Sequence, residues 1–283
     1  MLIKDLLSKR IFFAILRIML VDYAEIIKKE KWSKWVLLSL KTPKIAALAN
    51  PGQFIMVKIN DFFYPLLRRP FSIHNIIMRN NNPEGIEIFF QIVGTGTSFL
   101  SEKRIGEKLN IIGPLGKGFT LNPPAHNKKF YLIGGGRGIA PLFFLAKEIK
   151  KAGGQPSVFY GAKTKEDLPL LNKFLQEKIS IYSSTEDGSY GWHGLVTELL
   201  EYELKKTHKI EKIFVCGPSE MMKKISVIMK KYEIETEYSL ESIFGCGIGA
   251  CWGCVVRVKR NNKERWVKAC SEGPVFPGEE IIW

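Results

Sequence analysis

Between residues 22 and 122 the chain runs in short apolar segments separated by turn-forming residues: YAEIIKKEKWSKWVLLSLK, PGQFIMVKI, FSIHNIIM, IEIFFQIV and KLNIIGPLG. Segments of that length, evenly spaced and punctuated by Gly, Pro and Asn, predict β-strands forming a small antiparallel barrel that ends near Asn122. Pro123-Pro124 then marks a boundary, and the period changes. KKFYLIGGGRGIAPLFFLAKEIKKAG reads as a buried strand, a glycine-rich turn and a helix. The alternation continues through SVFYGAK, KISIYSST and KIFVCGPSEMMKKISVIMKKY, which predicts a parallel sheet with crossover helices. The last stretch is rich in glycine and cysteine and too short to bury much core alone, so a metal centre would supply the missing stabilisation. The expected organisation is therefore multi-domain: an extension over 1–21, a barrel over 22–122, an α/β nucleotide-binding region over 123–238 and a small cluster region over 239–283.

The opening segment MLIKDLLSKRIFFAILRIML is apolar but broken by Lys4, Asp5, Lys9, Arg10 and Arg17. No run reaches the ~18 apolar residues that a spanning helix needs, so stable membrane insertion is not expected. An amphipathic extension outside the folded body is expected, with weak contact to a membrane surface as the alternative. The 283 residues carry a formal charge of +14 and 46 % apolar residues, ordinary for a globular chain apart from the charge. The lysines are scattered, with no dense basic run interleaved with aromatics, which argues against nucleic acid. A lysine-rich solvated surface also suits an acidic dinucleotide or an acidic protein partner. No basic–apolar–small signal peptide opens the chain, and a reducing, cytoplasmic location is expected.

Of five cysteines, three fall within nine residues of the stretch GCGIGACWGCVVRV. Cys246, Cys251 and Cys254 read C-x4-C-x2-C, and fifteen residues intervene before Cys270, the order of ligands in plant-type [2Fe-2S] proteins. Zinc fits less well, because Cys270 has no neighbouring cysteine or histidine with which to complete a second knuckle. Disulfides would need an oxidising compartment. Gly245, Gly247, Gly249 and Gly253 let the backbone wrap a compact inorganic core and aim amides at its sulfurs. Small buried thiols in a glycine-rich turn are the bland alternative.

Further motifs concern anionic ligands. In PLLRRPFSIHN, Arg69 can neutralise a phosphate, Pro70 fixes the backbone and Ser72 can hydrogen-bond a ring or a phosphate. In IFFQIVGTGTSFL, Gly94, Gly96 and Thr97 sit at a strand-to-helix turn whose amides and hydroxyl suit pyrophosphate. GGGRGIAP, residues 134–141, lacks strict G-x-G-x-x-G spacing but follows a strand and opens a helix. Gly135, Gly136 and Gly138 would let a phosphate-bearing ligand approach, a tight structural turn being the alternative. Cys216, Gly217 and Pro218 follow the strand IFV, at the sheet edge where such ligands lie; Cys216 itself is equally well explained as core. No catalytic dyad is evident: His74, His126, His193 and His208 are scattered and are expected at the surface or in turns.

Taken together, RRPFSI, GTGT, GGGRGIAPL, CGP and SLESIFGCGIGACWGC followed by CSEGPVF resemble the electron-transfer subunits of dihydroorotate dehydrogenase type B, within the ferredoxin–NADP reductase superfamily. The resemblance spans residues 22–283. It implies an FAD-binding barrel, a nucleotide-binding domain and a C-terminal [2Fe-2S] domain. It implies FAD contacts at Arg69, Pro70, Phe71, Ser72, Phe89, Phe90, Gln91, Gly96 and Thr97, and cluster ligation by Cys246, Cys251, Cys254 and Cys270. Gln91 stands where relatives often carry arginine, so one charged contact to the FAD pyrophosphate would be missing. The implied partner is a catalytic FMN subunit, two of each in a heterotetramer. It would oxidise dihydroorotate in pyrimidine (UMP) synthesis, the electrons returning through the cluster and FAD to NAD. A sibling FAD/[2Fe-2S] reductase subunit of a hydrogenase, sulfite reductase or ferredoxin-linked complex is the alternative. Neither YGAKTKED nor SSTEDGSYG decides between NAD and NADP.

Overall fold

The computed structural model describes residues 20–60, 62, 64–121, 125–206 and 209–283. Pro123-Pro124, Asn122 and all of the expected extension except Leu20 and Val21 lie outside the described residues. Those two residues open the first barrel strand rather than an extension, because their backbones pair with Gly113 and Ile112.

Six strands close the barrel: β1 (Leu20–Trp32), β2 (Trp35–Lys41), β3 (Phe54–Val57), β4 (Arg69–Arg79), β5 (Asn82–Gln91) and β6 (Lys108–Leu115), in the order β1-β2-β5-β4-β3-β6 with β1 also pairing β6. Two short helices, α1 (Pro43–Leu48) and α2 (Thr95–Glu102), interrupt it. The β4–β5 turn is Asn80-Asn81, both left-handed (φ 50° and 63°), flanked by the Arg79–Asn82 pair. Asn tolerates that conformation, and two such residues give the tight turn whose twist matches a hairpin. Strand β2 is buried on both faces, which its unbroken apolar run WVLLSL anticipates. Val36, Leu38 and Leu40 fill the barrel, while Trp35 and Leu37 pack with Phe89 against the next domain.

That domain is a sheet of parallel strands β7 (Lys129–Gly135), β8 (Gln155–Ala162), β9 (Ser180–Thr185), β10 (Trp192–His193), β11 (Lys212–Cys216) and β12 (Thr236–Ser239). Helices α3 (Leu142–Lys151), α4 (Leu171–Gln176), α5 (Val196–Lys206) and α6 (Ser219–Tyr232) make the crossovers. The sheet order β10-β9-β8-β7-β11-β12 grows outward from β7 and then returns to its other side. The switch between β7 and β11 opens a crevice at the carboxyl ends of the strands.

The cysteine-rich region holds a hairpin, β13 (Val255–Arg260) and β14 (Lys263–Lys268), a single turn α7 (Ala269–Glu272) and β15 (Val275–Pro277). It is not free-standing. Strand β15 extends the nucleotide sheet antiparallel to β12, pairing Tyr238 with Phe276, and Phe276 is fully buried. Phe244 packs on Phe54 of β3 at 4.9 Å, so the same segment also touches the barrel.

Asp167 ties the barrel to the nucleotide domain: its Oδ1 accepts from the buried Trp35 indole at 3.1 Å and meets Lys34 Nζ at 2.7 Å. The exposed lysine adds little, whereas an orphaned indole N–H is costly. Asp167→Ala should lower stability by about 2 kcal/mol, read as a lower urea midpoint at unchanged slope.

Candidate functional site

The loop at 245–253 is shaped by its glycines. Gly247 and Gly249 are left-handed (φ 73° and 86°), and a Cβ on Gly247 would lie 2.4 Å from Met56 Cγ of the barrel. The resulting curl aims amides at sulfur: Ile248, Ala250 and Cys251 N–H donate to Cys246 Sγ at 3.5, 3.3 and 3.4 Å. Gly249 N–H donates to Cys270 Sγ at 3.1 Å and Cys270 N–H to Cys254 Sγ at 3.4 Å. Burial opposes ionisation of Cys246, but the three amides outweigh it and bring the thiol down to about 6. Burial and the neighbouring Cys254 push Cys270 up to about 12.

The four thiols neighbour one another in two pairs, Cys246 with Cys251 and Cys254 with Cys270. The first pair is at the surface; the second is buried, each residue 2 % exposed. Among the described residues no three His, Cys, Asp or Glu gather as they would around one metal ion. Two adjacent thiol pairs ringed by donor amides instead fit a binuclear centre that takes two cysteines per iron. Trp252, left-handed at φ 57° and 57 % exposed, lies under Lys268 Nζ at 4.4 Å.

On the barrel, the RRPFS strand and the GTGT turn come together: a Cβ on Gly96 would meet Arg69 Nε at 3.2 Å. The Arg69 guanidinium donates to Leu67 O at 2.7 Å. The Thr97 hydroxyl closes its own turn, accepting from Val93 and Gly94 N–H and donating to Gly94 O at 2.9 Å. What this turn offers a phosphate is therefore backbone, not the hydroxyl. Phe71 and Phe90 point into the barrel core, ring centroids 5.2 Å apart, while Pro70 and Ser72 are half-buried. Phe89 stacks on Trp35 at the domain boundary (5.2 Å, 5°). Gln91, opposite Trp35 in the β2–β5 ladder, lines the large cleft.

That cleft, about 960 Å³, lies at the sheet's switch point. It is lined by Trp35 and Gln91 of the barrel, by Gly135, Gly136 and Pro218 of the nucleotide domain, and by Glu241 ahead of the cysteine loop. All three regions meet there. Gly136, left-handed at φ 53° with open space where a Cβ would be, faces ligand-sized room. Gly138 does not line the cleft: a Cβ there would lie 2.1 Å from the Cys216 carbonyl oxygen, so its lack of a side chain serves backbone packing. The glycine loop opens a 3₁₀ turn, Gly136–Ile139, before α3 begins. Cys216 is 4 % exposed in the core; burial and Glu241 push its thiol upward, and neither it nor Gly217 lines the cleft.

Sequence reasoning missed Trp35, Lys34, Lys163, Glu186 and Glu241 as cleft residues. Only tertiary folding brings them together, although Glu241 and Arg137, 3.5 Å apart, each lie within a quoted motif. The expectation that the histidines are peripheral needs one correction. His126 and His193 are exposed and His208 lies outside the described residues, but His74 is fully buried, because β4 presses it against α3.

Comparison with known proteins gives the following. Residues 241–282 match the iron-sulfur cluster binding domain of dihydroorotate dehydrogenase B, and residues 132–226 match the oxidoreductase NAD-binding domain. A Desulforamulus reducens protein described as the electron transfer subunit of dihydroorotate dehydrogenase B (NAD(+)) is 39 % identical over 247 residues, covering 87 % of this chain and 92 % of the relative. A Geobacillus sp. protein of the same description is 38 % identical, covering 87 % and 91 %. Among solved structures, that of an NADH-dependent reduced ferredoxin-NADP oxidoreductase, studied for flavin-based electron bifurcation, superposes with a TM-score of 0.79 at 29 % identity over 93 % of this chain and 90 % of the other.

Proposed function

The chain belongs to the family of dihydroorotate dehydrogenase B electron transfer subunits, and from that premise we infer that it passes electrons from dihydroorotate oxidation, performed on a catalytic FMN subunit, to NAD in pyrimidine synthesis. Bound FAD and the [2Fe-2S] cluster supply the conversion between two-electron and one-electron transfer. The observation that carries the reading is the meeting of barrel, nucleotide domain and cluster segment around one cleft.

The residues present fit these groups. Cys246 with Cys251 would hold one iron and Cys254 with Cys270 the other, with the amides of Ile248, Gly249 and Ala250 offsetting charge on the sulfurs. Arg69 and the backbone at Gly96 would bind the FAD pyrophosphate, with Pro70 and Ser72 on the outward side of β4. Phe71, Phe89 and Phe90 would hold the FAD-bearing strands by packing, and Thr97 would shape the turn. Gly135, Gly136 and Pro218 would receive the dinucleotide, Gln91 and Trp35 forming the opposite wall. Gly138, Cys216 and Gly217 would support that loop from behind. The division after residues 122 and 238, with the barrel beginning at Leu20, a cytoplasmic location suited to free cluster thiols, and a complex of two copies of each subunit belong to the same proposal.

Mixing the FAD- and iron-loaded chain anaerobically with a catalytic subunit from the same source should give dihydroorotate-dependent reduction of NAD that needs both chains. A loaded chain that forms no active complex would move the assignment to a sibling reductase. Light scattering on the complex checks the two-plus-two stoichiometry.

A further inference from the structure

His74 lies on β4 two residues beyond Ser72, with none of its surface exposed. Its Nδ1 is 2.7 Å from the carbonyl oxygen of Ala140, in the GGGRGIAP loop of the other domain. A carbonyl only accepts, so Nδ1 carries the proton and donates. The ring stacks on Phe143 in the first turn of α3 (4.9 Å, 15°), with Phe89 of β5 5.9 Å away. Among the described residues its Nε2 is buried without a hydrogen-bond partner, which leaves the Ala140 carbonyl as the ring's one polar anchor.

The charged groups around the ring are Lys173, Glu87 and Lys147. Burial first, then Lys173, hold the imidazole down to about 4 against the pull of Glu87 and the Ala140 carbonyl, so the ring is neutral at neutral pH. The next residue crosses the same seam. Asn75 Nδ2 donates to Glu87 Oε2 at 2.9 Å, Lys147 of α3 donates to Asn75 Oδ1 at 3.1 Å, and Lys173 of α4 bonds Glu87 at 2.5 Å. Domains joined by ordinary interfaces are free to shift. Directional bonds from adjacent residues of β4 to the glycine loop and to α3, with Glu87 of β5 tied to α4, fix a register instead.

Strand β4 carries the candidate flavin contacts and the loop at 134–141 carries the candidate dinucleotide contacts, so one hydrogen bond links the two. We propose that His74 is a positioning residue, whose Nδ1–H bond to the Ala140 carbonyl sets the flavin strand against the dinucleotide loop and thereby the rate at which NADH reduces the flavin. The proposal rests on the reading of β4 and the cleft given above. Electron exchange between two held rings is steep in their placement, about 100-fold for a 1 Å error.

The test compares three forms of the holoprotein without its partner: native, His74→Asn and His74→Gln. The Asn amide nitrogen takes the place of Nδ1, whereas the Gln amide reaches toward the place of Nε2. Anaerobic stopped-flow with NADH should show His74→Gln at least ~10-fold slower in limiting flavin reduction, with FAD and iron content and the NAD dissociation constant within about threefold of native. His74→Asn should stay within about threefold of native. Equal limiting rates for the two loaded variants would overturn the proposal. An independent readout needs no variant: ¹⁵N spectra of native protein should show the His74 ring protonated at Nδ1 and silent to titration between about pH 6 and 8. An Nε2–H ring, or one that titrates there, would overturn it even if neither variant folds. Native holoprotein whose flavin NADH does not reduce would instead overturn the site reading beneath it.

Discussion

Cys251→Ala should leave the chain folded and FAD-bearing, empty it of iron, and cut dihydroorotate-dependent NAD reduction with the partner subunit by at least ~100-fold, since even outer-shell losses at metal sites cost 10- to 100-fold. Cys251 is the informative position because it is exposed, so removing its sulfur opens no cavity. Cys254 and Cys270 are each 2 % exposed in the core shared with Tyr238 and Phe276, and truncating either would confound ligand loss with packing loss. NADH reduction of the flavin, followed with a one-electron dye as acceptor, should persist in Cys251→Ala, because the cleft lined by Trp35, Gln91 and Gly136 is untouched. Iron retained at native content with the visible iron–sulfur spectrum intact would remove Cys251 from the ligand set.

The cysteine loop was legible because its constraints are local. Ligand spacing and left-handed glycines at 247 and 249 are written within a few residues, and the thiol pairs follow from them once the chain curls. The barrel strands and the alternating sheet were equally legible, since period and turn residues are also short-range. What escaped was set by distant partners. That β15 completes the nucleotide sheet depends on Phe276 meeting Tyr238, thirty-eight positions away, and a three-residue strand has no period of its own. Asn80-Asn81 and Asn261-Asn262 did carry a readable signal, two left-handed turns closing hairpins, that the strand reading passed over. His74 looked peripheral because a histidine in a run of alternating residues reads the same on either face; only α3 packed against β4 decides it.

The glycine loop shows the same division within four residues, and it supports the second large prediction. Gly138→Ala should destabilise the protein by about 3 kcal/mol and abolish dinucleotide binding, while Gly136→Ala should cost about 1 kcal/mol. At Gly138 the new methyl would lie 2.1 Å from the Cys216 carbonyl oxygen and 2.5 Å from the Gly217 amide nitrogen. Those atoms are backbone of β11 and the turn after it, so no rotamer can give way; either the 3₁₀ turn lifts off the sheet or the Cys216–Ser239 pairing with β12 shifts. Either movement displaces Gly135 and Pro218 from the cleft wall. At Gly136 nothing lies within 4 Å, and the cost is that of a left-handed backbone at φ 53° for a residue with a Cβ. Urea midpoints would rank the two variants, and an NAD titration of each, where folded, separates their effects on the site. Matching stabilities would mean that the loop yields at Gly138 as readily as at its open end, and that the close approach to β11 does not govern the cleft's shape.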